Sequence, residues 1–244
     1  MYGWRGRIGL MTVANNITCE QEMARLCPEG VATIVTRIDF TPTLEGLHAL
    51  HDGVETAARL LASEQLSDLI LFGCTIGSMV KGPDYDLEIA ALIERAAKTP
   101  AITVTTAVKE ALRELGLRRL AVATPYTADI CRLERDVMTR MGFEIVDLRS
   151  CHEHFDPAAL RNEMIGRLSP GDTYRLVRSL NLEHADGVFI SCTNFRSIEV
   201  IQALEDDLGL PVISSNLAGM WLALRRLGVR EPIPGYGRLL REHC

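Results

Sequence analysis

Short apolar runs alternate with amphipathic stretches along the whole chain. Runs such as LILFG at 69–73 and GVFIS at 187–191 carry no charge and end where the sequence turns polar, which is typical of buried strands. The stretches between the runs have apolar residues at helical spacing. This alternation predicts an α/β fold with parallel sheets covered by helices. The predicted strands are 7–13, 31–38, 69–73, 101–106, 119–125, 143–149, 187–191 and 211–215, and the predicted helices are 52–66, 85–98, 107–115, 127–141, 172–183, 196–207 and 216–227.

The order of these elements repeats once. PAITVTTAVKEALRELG starts at Pro100, and the similar PVISSNLAGMWLALRRLG starts 111 residues later. RIGLMT at 7–12 is matched by RLAVAT 112 residues later. Landmarks in the same order at nearly the same separation favour an internal duplication over a chance likeness of two α/β segments. We therefore predict two similar parallel-sheet lobes related by pseudo-twofold symmetry, with the active site in the cleft between them: lobe one comprises 1–106 plus 217–244, and lobe two comprises 107–216.

Length and charge restrict the class of protein. The chain has 244 residues, 47% of them hydrophobic, which is enough to bury one large core or two lobes. A formal net charge of −6, with no basic run longer than a pair of arginines, argues against a nucleic-acid partner. The sequence contains neither an apolar stretch of membrane-spanning length nor a long apolar leader segment, so we expect a cytoplasmic protein without a membrane partner.

Two of the seven cysteines occupy matched positions. Cys74 and Cys192 each end an apolar run and precede a threonine, whereas an odd cysteine count without CxxC spacing indicates free thiols. Ligands of open α/β sheets bind beyond the carboxyl ends of the strands, so a duplication would put these thiols on opposite walls of one cleft. Backbone N–H groups at a helix start are expected to ionise such a thiol and make it reactive at neutral pH.

Two facing thiols point to a particular chemistry. One thiolate and one thiol can add to a substrate carbon and protonate its neighbour, or remove a proton from one face and return one to the other. The pair therefore indicates racemase or isomerase chemistry that needs no cofactor. For either cysteine taken alone, the alternative is a small buried hydrophobic residue.

Further motifs follow one another in the order of a known family: YGWRGRIGL, ANNITCE, FGCT, TPYT, NEMIGRLSP, SCTN and PVISSNLAGMW. Through them nearly the whole chain resembles the aspartate/glutamate racemase superfamily, and specifically its maleate cis-trans isomerase and arylmalonate decarboxylase branch. The resemblance implies a small carboxylic-acid substrate, no cofactor and a homodimer or larger homo-oligomer. It also implies that Cys74 is the nucleophile of a maleate isomerase and that Cys192 supplies the proton on the opposite side. The decarboxylases have glycine in place of the first cysteine, so the presence of both favours an isomerase or racemase.

Six further residues are candidates for substrate binding. By the resemblance, Asn16, Tyr126 and Asn162 hold substrate carboxylates, and their amide and phenol groups are neutral donors suited to that task. Three residues that follow the cysteines at predicted helix starts would offer backbone N–H groups to an anion. These are Thr75, Thr193 and Asn194. The alternatives are helix capping for Asn16 and for these three, a turn aromatic for Tyr126 and a surface position for Asn162.

The leading prediction is a cofactor-independent isomerase of small dicarboxylates, of the maleate-to-fumarate type. Two alternatives stay open: a racemase or arylmalonate-type decarboxylase of another 2-substituted carboxylic acid, and a non-catalytic protein that binds small acids. The turns TVANNITCE and CTNFRS depart from the isomerase pattern and leave the substrate open. CHEHF at 151–155 has no distant partner motif, so we interpret it as a solvated loop and predict no metal. The absence of GxGxxG and GxxxxGK[ST] argues against a nucleotide.

Overall fold

The computed structural model describes residues 2–41, 43–154 and 162–243, with backbone only at 153, 154, 162 and 163. All eight predicted strands are present. They are β1 Gly6–Val13, β2 Val31–Ile38, β3 Leu69–Gly73, β4 Ala101–Thr103, β5 Arg119–Thr124, β6 Glu144–Ser150, β7 Gly187–Ile190 and β8 Val212–Ser214. The α-helices are α1 Cys19–Leu26, α2 Leu44–Ala62, α3 Tyr85–Ala97, α4 Val104–Glu114, α5 Ala128–Arg140, α6 Asn162–Ile165, α7 Pro170–Arg178, α8 Ile201–Leu208, α9 Ser215–Arg226 and α10 Arg238–Glu242, and short 3-10 helices span Ser63–Gln65, Ile76–Ser78 and Cys151–His154.

The strands form two four-stranded parallel sheets of identical order. One runs β2-β1-β3-β4 and the other β6-β5-β7-β8. The predicted α/β class with two similar parallel sheets is therefore confirmed. In each sheet the order reverses between the first and third strand, β1 and β3 or β5 and β7. Such a reversal opens a crevice at the carboxyl ends of the strands. The residues that follow these four strands include Asn16, Cys74, Tyr126 and Cys192.

Burial explains why the strands are easy to recognise. Every residue of β3 and of β7 is buried, since helices cover both faces of a parallel sheet. The predicted β4 is three residues too long, because Thr103 begins α4 by accepting a hydrogen bond from the Thr106 N–H at 3.0 Å. Ser214 begins α9 in the same way, accepting from Leu217 N–H at 3.2 Å. The two copies therefore share a strand-to-helix corner as well as a sheet order.

Three helices are missing from the sequence prediction, and one begins later than predicted. α1, α6 and α10 are short, so they offer too few turns for a helical period to be visible. The helix predicted to begin at 196 begins instead at Ile201, which leaves an irregular segment after Cys192. That segment, rather than a helix, forms part of the cleft wall described below.

The predicted lobe boundaries coincide with a pair of packed helices. α4 and α9, which follow the last strand of each sheet, pack against each other, and α9 also contacts β3 of the first sheet and β8 of the second. One hydrophobic core accordingly contains residues from both halves, including Leu10, Val122 and Trp221. The division into 1–106 plus 217–244 and 107–216 stays a prediction. In the described part of the chain, no helix has the length and apolar character needed to cross a bilayer.

A forked ion pair is repeated at the amino-terminal edge of both sheets. Asp68 accepts from Arg7 N at 2.8 Å and from its guanidinium at 2.9 and 3.1 Å. Asp186 accepts from Arg119 N at 2.9 Å and from its guanidinium at 2.7 and 3.1 Å. These hydrogen bonds lower the pKa of Asp68, and they lower that of Asp186 to about 2.

Replacing Asp186 tests this edge. A carboxylate with a lowered pKa stabilises the fold above its unfolded pKa of about 4, and that contribution is lost as the pH falls through about 2. We expect Asp186→Ala to lower the free energy of unfolding by about 1–2 kcal/mol at neutral pH, a value reduced for solvent screening. The difference from wild type should disappear in strong acid. Urea titrations at several pH values measure it, with Asp52→Ala, on the exposed side of α2, as control. Equal losses in both variants would contradict the assignment.

Candidate functional site

The carboxyl ends of the two sheets face one cavity of about 410 Å³. It contains both cysteines and five of the six candidate binding residues. The predicted residues in its wall are Asn16, Cys74, Thr75, Tyr126, Cys192, Thr193 and Asn194. The side chain of Asn162 lies outside the described residues, although α6 begins at this position. Residues that are up to 178 positions apart in the chain thus share a single cleft.

The two thiols have different surroundings. Cys74 is partly exposed to the cleft, while Cys192 is buried. The Gly77 N–H group hydrogen-bonds the Cys74 thiol, and the Asn194 N–H group lies 3.4 Å from Cys192 Sγ. Gly77 is required at its position, because a Cβ there would lie 2.8 Å from Cys74 Sγ. The hydroxyl of Tyr126 also hydrogen-bonds the Cys192 thiol.

Contrary to the expectation from sequence, the backbone N–H groups that follow each cysteine do not ionise its thiol in the ligand-free protein. Burial raises the pKa of Cys74 to about 11 and that of Cys192 to about 12. The N–H groups beside the sulfurs act in the opposite direction, but they do not outweigh the loss of hydration. The N–H donors can be predicted from the sequence. The desolvation of the two thiols cannot, because it depends on the packing of both lobes.

Ser215 joins the two halves of the site. Its hydroxyl oxygen accepts from the Thr75 hydroxyl at 2.9 Å and from the Cys192 backbone N–H at 3.2 Å. The position after each cysteine is also tied to a helix start, because Thr105 donates to the Thr75 carbonyl at 3.1 Å and Asn216 donates to the Thr193 carbonyl at 2.9 Å. Sequence analysis did not single out Ser215, because its counterpart in the first copy, Val104, is apolar.

The Thr193 hydroxyl makes a second bridge. It donates to the Gly73 carbonyl at 3.1 Å, at the end of β3, and accepts from Asn16 Nδ2 at 2.9 Å. Asn16 Oδ1 meanwhile accepts from the N–H groups of Thr18, the N-cap residue of α1, and of Cys19, its first residue. Asn16 therefore lies in the cavity wall and also holds the start of α1, although it is not the N-cap residue. An amide nitrogen has two hydrogens, and only one is used by Thr193.

Asn194 closes the same side of the cleft. Its Oδ1 accepts from Ile17 N at 3.1 Å and from Thr18 N at 3.3 Å, and its carbonyl accepts from the Thr18 hydroxyl at 2.9 Å. The side chains of Asn194, Thr193 and Thr75 therefore hold the lobes together. Within the described residues, the backbone N–H groups of Thr75 and Thr193 make no hydrogen bond. They remain available to a bound anion.

The backbone at Cys192 is strained. Its φ is +99°, a value that residues other than glycine adopt at a cost of about 1–3 kcal/mol. The hydrogen bond from its N–H to Ser215 and that from the Thr193 hydroxyl to Gly73 fix the segment on both sides. Strain of this kind is found where a side chain must be aimed at one place.

A family model described as arylmalonate decarboxylase matches residues 34–240. The chain belongs to this family. The maleate isomerase of Nocardia farcinica is 28% identical over 247 residues, covering 97% of this chain and 96% of the relative. The arylmalonate decarboxylase of Bordetella bronchiseptica is 31% identical over 209 residues, covering 82% of each chain. The predicted membership of the isomerase and decarboxylase branch of the aspartate/glutamate racemase superfamily is confirmed.

The fold agrees with solved maleate isomerase structures. A cysteine-to-serine mutant of the Nocardia farcinica maleate cis-trans isomerase, with a covalently bound succinylcysteine intermediate, superposes with a TM-score of 0.90 at 27% identity. The match covers 97% of this chain and 98% of that one. The two-sheet architecture around the cleft is therefore that of the family.

The cavity wall in this family member also contains residues that sequence analysis missed. His152 is half-buried and lines the cavity, and its Nε2 is buried without a hydrogen-bond partner. Cys151 is buried, so the prediction of a solvated loop is wrong at that position. Among residues 2–41, 43–154 and 162–243, no three His, Cys, Asp or Glu side chains are grouped as metal ligands. Phe155 and the side chains of Glu153 and His154 lie outside the described residues.

One wall of the cavity is apolar, and cations are missing from the described lining. Asp129 lies at the wall, and among the described residues no lysine or arginine does. Arg132 and Arg135 line a neighbouring cavity of about 400 Å³ that shares only Tyr126 and His152 with the cleft. The apolar wall consists of Val13, Phe40, Leu44, Leu47, Pro125, Ile76, Ile130 and Ile165. Its members come from loops, from the ends of helices and, for Val13, from the end of β1, so no single periodic pattern in the sequence predicts them.

The thiol environments lead to a pH-dependent labelling prediction. Because burial raises the pKa of Cys74 to about 11 and of Cys192 to about 12, we expect slow reaction with iodoacetamide at neutral pH in the ligand-free protein. The rate at each cysteine should rise about tenfold per pH unit between about pH 7.5 and 9.5. Peptide mass spectrometry resolves the two sites, and a cysteine in a short unstructured peptide serves as control. A plateau of either rate below about pH 9 would contradict the raised pKa values.

Proposed function

We propose that this protein is a cofactor-independent isomerase of small dicarboxylates, of the maleate-to-fumarate type. The observation that carries the proposal is the presence of Cys74 and Cys192 in the wall of one cavity, one partly exposed and one buried. Relatives named maleate isomerase match it over almost their full length, and one of them has been trapped with a succinylcysteine. That adduct is what a thiol forms when it adds to maleate.

The substrate carboxylates would be bound by neutral donors. The second hydrogen of Asn16 Nδ2, the Tyr126 hydroxyl and the N–H groups of Thr75 and Thr193 surround the cavity, and Asn162 is a further candidate by resemblance. Neutral donors stabilise the charge that builds up on a carboxylate during addition without holding the product by a strong ion pair. This matters because one carboxylate must move away from the other when the carbon–carbon single bond of the intermediate rotates.

The reaction begins at the partly exposed thiol. Cys74 loses its proton to solvent, and its sulfur forms a bond to one alkene carbon of maleate. The alkene electron pair moves onto the neighbouring carbon and its carboxylate as an enediolate. Cys192 then donates its thiol proton to that carbon, which leaves a succinyl thioether on Cys74 and a thiolate on Cys192. The difference in exposure suits these roles, since a nucleophile must be deprotonated from the cleft and a donor must keep its proton.

The second half of the reaction reverses the first after rotation. Rotation about the new carbon–carbon single bond turns one carboxylate to the trans side. Cys192 thiolate takes back the proton, the carbon–sulfur bond breaks, and Cys74 leaves as thiolate with fumarate formed. Protons balance over the cycle, so no cofactor or redox partner is needed. Cofactor independence and a homodimeric or larger assembly stay predictions.

A second candidate function is supported by the apolar wall. A wall containing Phe40, Leu47 and Ile130 offers contact to an alkyl or aryl group that maleate lacks. A racemase or decarboxylase acting on a 2-substituted carboxylic acid would use it. In that reaction Cys192 would protonate a carbanion next to the carboxylate, and Cys74 would serve the opposite face. The similarity of this chain to a relative named arylmalonate decarboxylase is consistent with this candidate.

Direct assays separate the candidates. The purified protein is incubated in deuterium oxide with maleate, with phenylmalonate and with a single enantiomer of a 2-aryl acid, and the products are followed by proton NMR. We expect fumarate from maleate, with turnover retained after EDTA treatment and gel filtration. Decarboxylation of phenylmalonate, or deuterium exchange in the 2-aryl acid without conversion of maleate, would favour the second candidate. No reaction with any acid, together with binding, would favour a non-catalytic protein.

Substitution of the two cysteines should impair the reaction in different ways. Cys74→Ser should abolish the covalent adduct, because a hydroxyl is a far weaker nucleophile near neutral pH. Cys192→Ser should still add maleate and accumulate an adduct while turnover falls at least about 10²-fold. Intact-protein mass spectrometry after incubation with maleate measures the adduct, and Cys27→Ser is the control at a cysteine outside the cavity wall. An adduct in Cys74→Ser but not in Cys192→Ser would reverse the assignment.

Tyr126 should contribute to turnover more than to stability. Tyr126→Phe removes one hydroxyl donor beside Cys192, and we expect turnover to fall by about 10²-fold with little change in the melting temperature. Steady-state kinetics and thermal unfolding measure the two effects. Tyr174→Phe is the matched control, since Tyr174 bonds Asp207 on the surface. Unchanged kinetics in Tyr126→Phe would exclude this hydroxyl from the reaction.

A further inference from the structure

A buried carboxyl lies behind Cys192 and is not used by the mechanism above. Glu134 on α5 has no exposed surface. Its Oε1 accepts a hydrogen bond from the hydroxyl of Ser191, the residue immediately before Cys192. The Thr124 hydroxyl, also buried, lies beside the carboxyl and favours its charged form, but Oε2 and this hydroxyl do not form a close hydrogen bond. A carboxyl oxygen left unsatisfied in a core is costly, so its retention calls for a role.

The internal duplication supplies a comparison within the same chain. Glu22 on α1 precedes Glu134 by 112 residues, the separation that also relates the two sheets, and it is buried as well. Glu22 is fully engaged, however: Oε1 accepts from Ser197 N at 2.7 Å and from Ile198 N at 3.2 Å, and Oε2 accepts from Asn216 Nδ2 at 2.7 Å. Glu22 thus holds a loop through both of its oxygens, whereas Glu134 is held closely through Oε1 alone.

We propose that Glu134 is a positioning residue for Cys192: through Ser191 it fixes the strained backbone at this cysteine, and its buried charge adds to the opposition that burial sets against ionisation of the thiol, the proton donor of the proposed function. The first step is geometric, since the hydrogen bond to Ser191 anchors the end of β7 where the chain enters the φ of +99° at Cys192. The role as donor rests on the proposed function. The effect of Glu134 on the thiol does not.

The second step is electrostatic. Among the described residues, the titratable groups that face Glu134 are Tyr126, from the loop before α5, and Cys192, from the loop after β7. Burial is the largest cause of the raised pKa of both, and an ionised Glu134 adds a smaller effect in the same direction. Toward the first lobe α5 presents apolar Ile130, Leu133 and Val137. On β6, which packs against α5, Asp147 is engaged by Arg149 and by Asn181 N–H, while Arg135 of α5 itself donates to the Ile145 carbonyl.

The charge on Glu134 changes near neutral pH. Burial raises its pKa to about 7, with the hydroxyls of Ser191 and Thr124 acting in the opposite direction. Above that pH the carboxylate disfavours a second negative charge on Cys192, and below it the effect disappears. Among the influences on Cys74, the largest are burial and the Gly77 N–H group, and Glu134 is not among them. The proposal therefore concerns one thiol of the pair.

The test measures thiolate formation directly in the ligand-free protein. Glu134→Gln retains the size of the side chain and an oxygen for Ser191, but it removes the charge. Rates of modification by methyl methanethiosulfonate are followed at Cys192 and at Cys74 between about pH 6 and 9 by peptide mass spectrometry. We expect Cys192 to react at least about threefold faster than in wild type near pH 8.5 and equally fast near pH 6. Cys74 should change by less than about twofold, and Glu22→Gln should leave the selectivity between the thiols as in wild type.

A catalytic readout accompanies the labelling. In Glu134→Gln, kcat and KM with maleate should each stay within about threefold, because the substrate contacts are retained and Cys192 remains protonated at neutral pH even without the carboxylate. Equal Cys192 rates in Glu134→Gln and wild type at every pH would overturn the proposal. So would a parallel rise at both cysteines, which indicates loosening of the structure. If the wild type does not convert maleate, the proposed function fails, whereas the labelling still decides the effect of Glu134.

Discussion

The site depends on hydrogen bonds that cross between the two copies of the fold. The Thr75 hydroxyl reaches Ser215, which also holds the Cys192 N–H, and the Thr193 hydroxyl reaches the Gly73 carbonyl just before Cys74. The threonine after each cysteine is therefore bonded to an atom from the other half of the molecule. Because the participating hydroxyls are buried, losing one partner would leave the other unsatisfied, at a cost of about 1–3 kcal/mol. These hydrogen bonds fix the positions of the two thiols relative to each other.

The duplication makes the site nearly symmetric, and local differences between the two copies give the two thiols different surroundings. Both sheets have the same strand order, and both contain a cysteine and a threonine after the third strand. The surroundings then differ: Cys74 is partly open to the cleft, while Cys192 is buried on a strained backbone next to Tyr126. Two identical environments would give two equivalent thiols. Proton donation and nucleophilic attack call for different ones.

The parts predictable from sequence are those determined by local pattern. Strands such as β3 are recognisable because both of their faces are buried, and the pairing of Cys74 with Cys192 follows from the repeat. The apolar period of Ile198, Ile201 and Leu204 predicts a helix that begins at residue 196. The helix begins instead at Ile201, because tertiary hydrogen bonds hold the preceding segment in another conformation. The raised pKa values, the bridge at Ser215 and the position of His152 depend on contacts between distant segments, which no local pattern encodes.

The lack of a described cation in the cavity wall connects substrate binding to the order of events in the proposed reaction. A dicarboxylate brings two negative charges close to Cys74, and each opposes ionisation of a thiol whose pKa burial has already raised to about 11. The N–H donors around the cavity reduce this opposition only once they bind the carboxylates. Deprotonation of Cys74 is therefore most favourable while the cleft is still open to water, before the substrate is seated. The partial exposure of Cys74 fits this order, whereas Cys192, which has to keep its proton until the addition occurs, is better placed where it is buried.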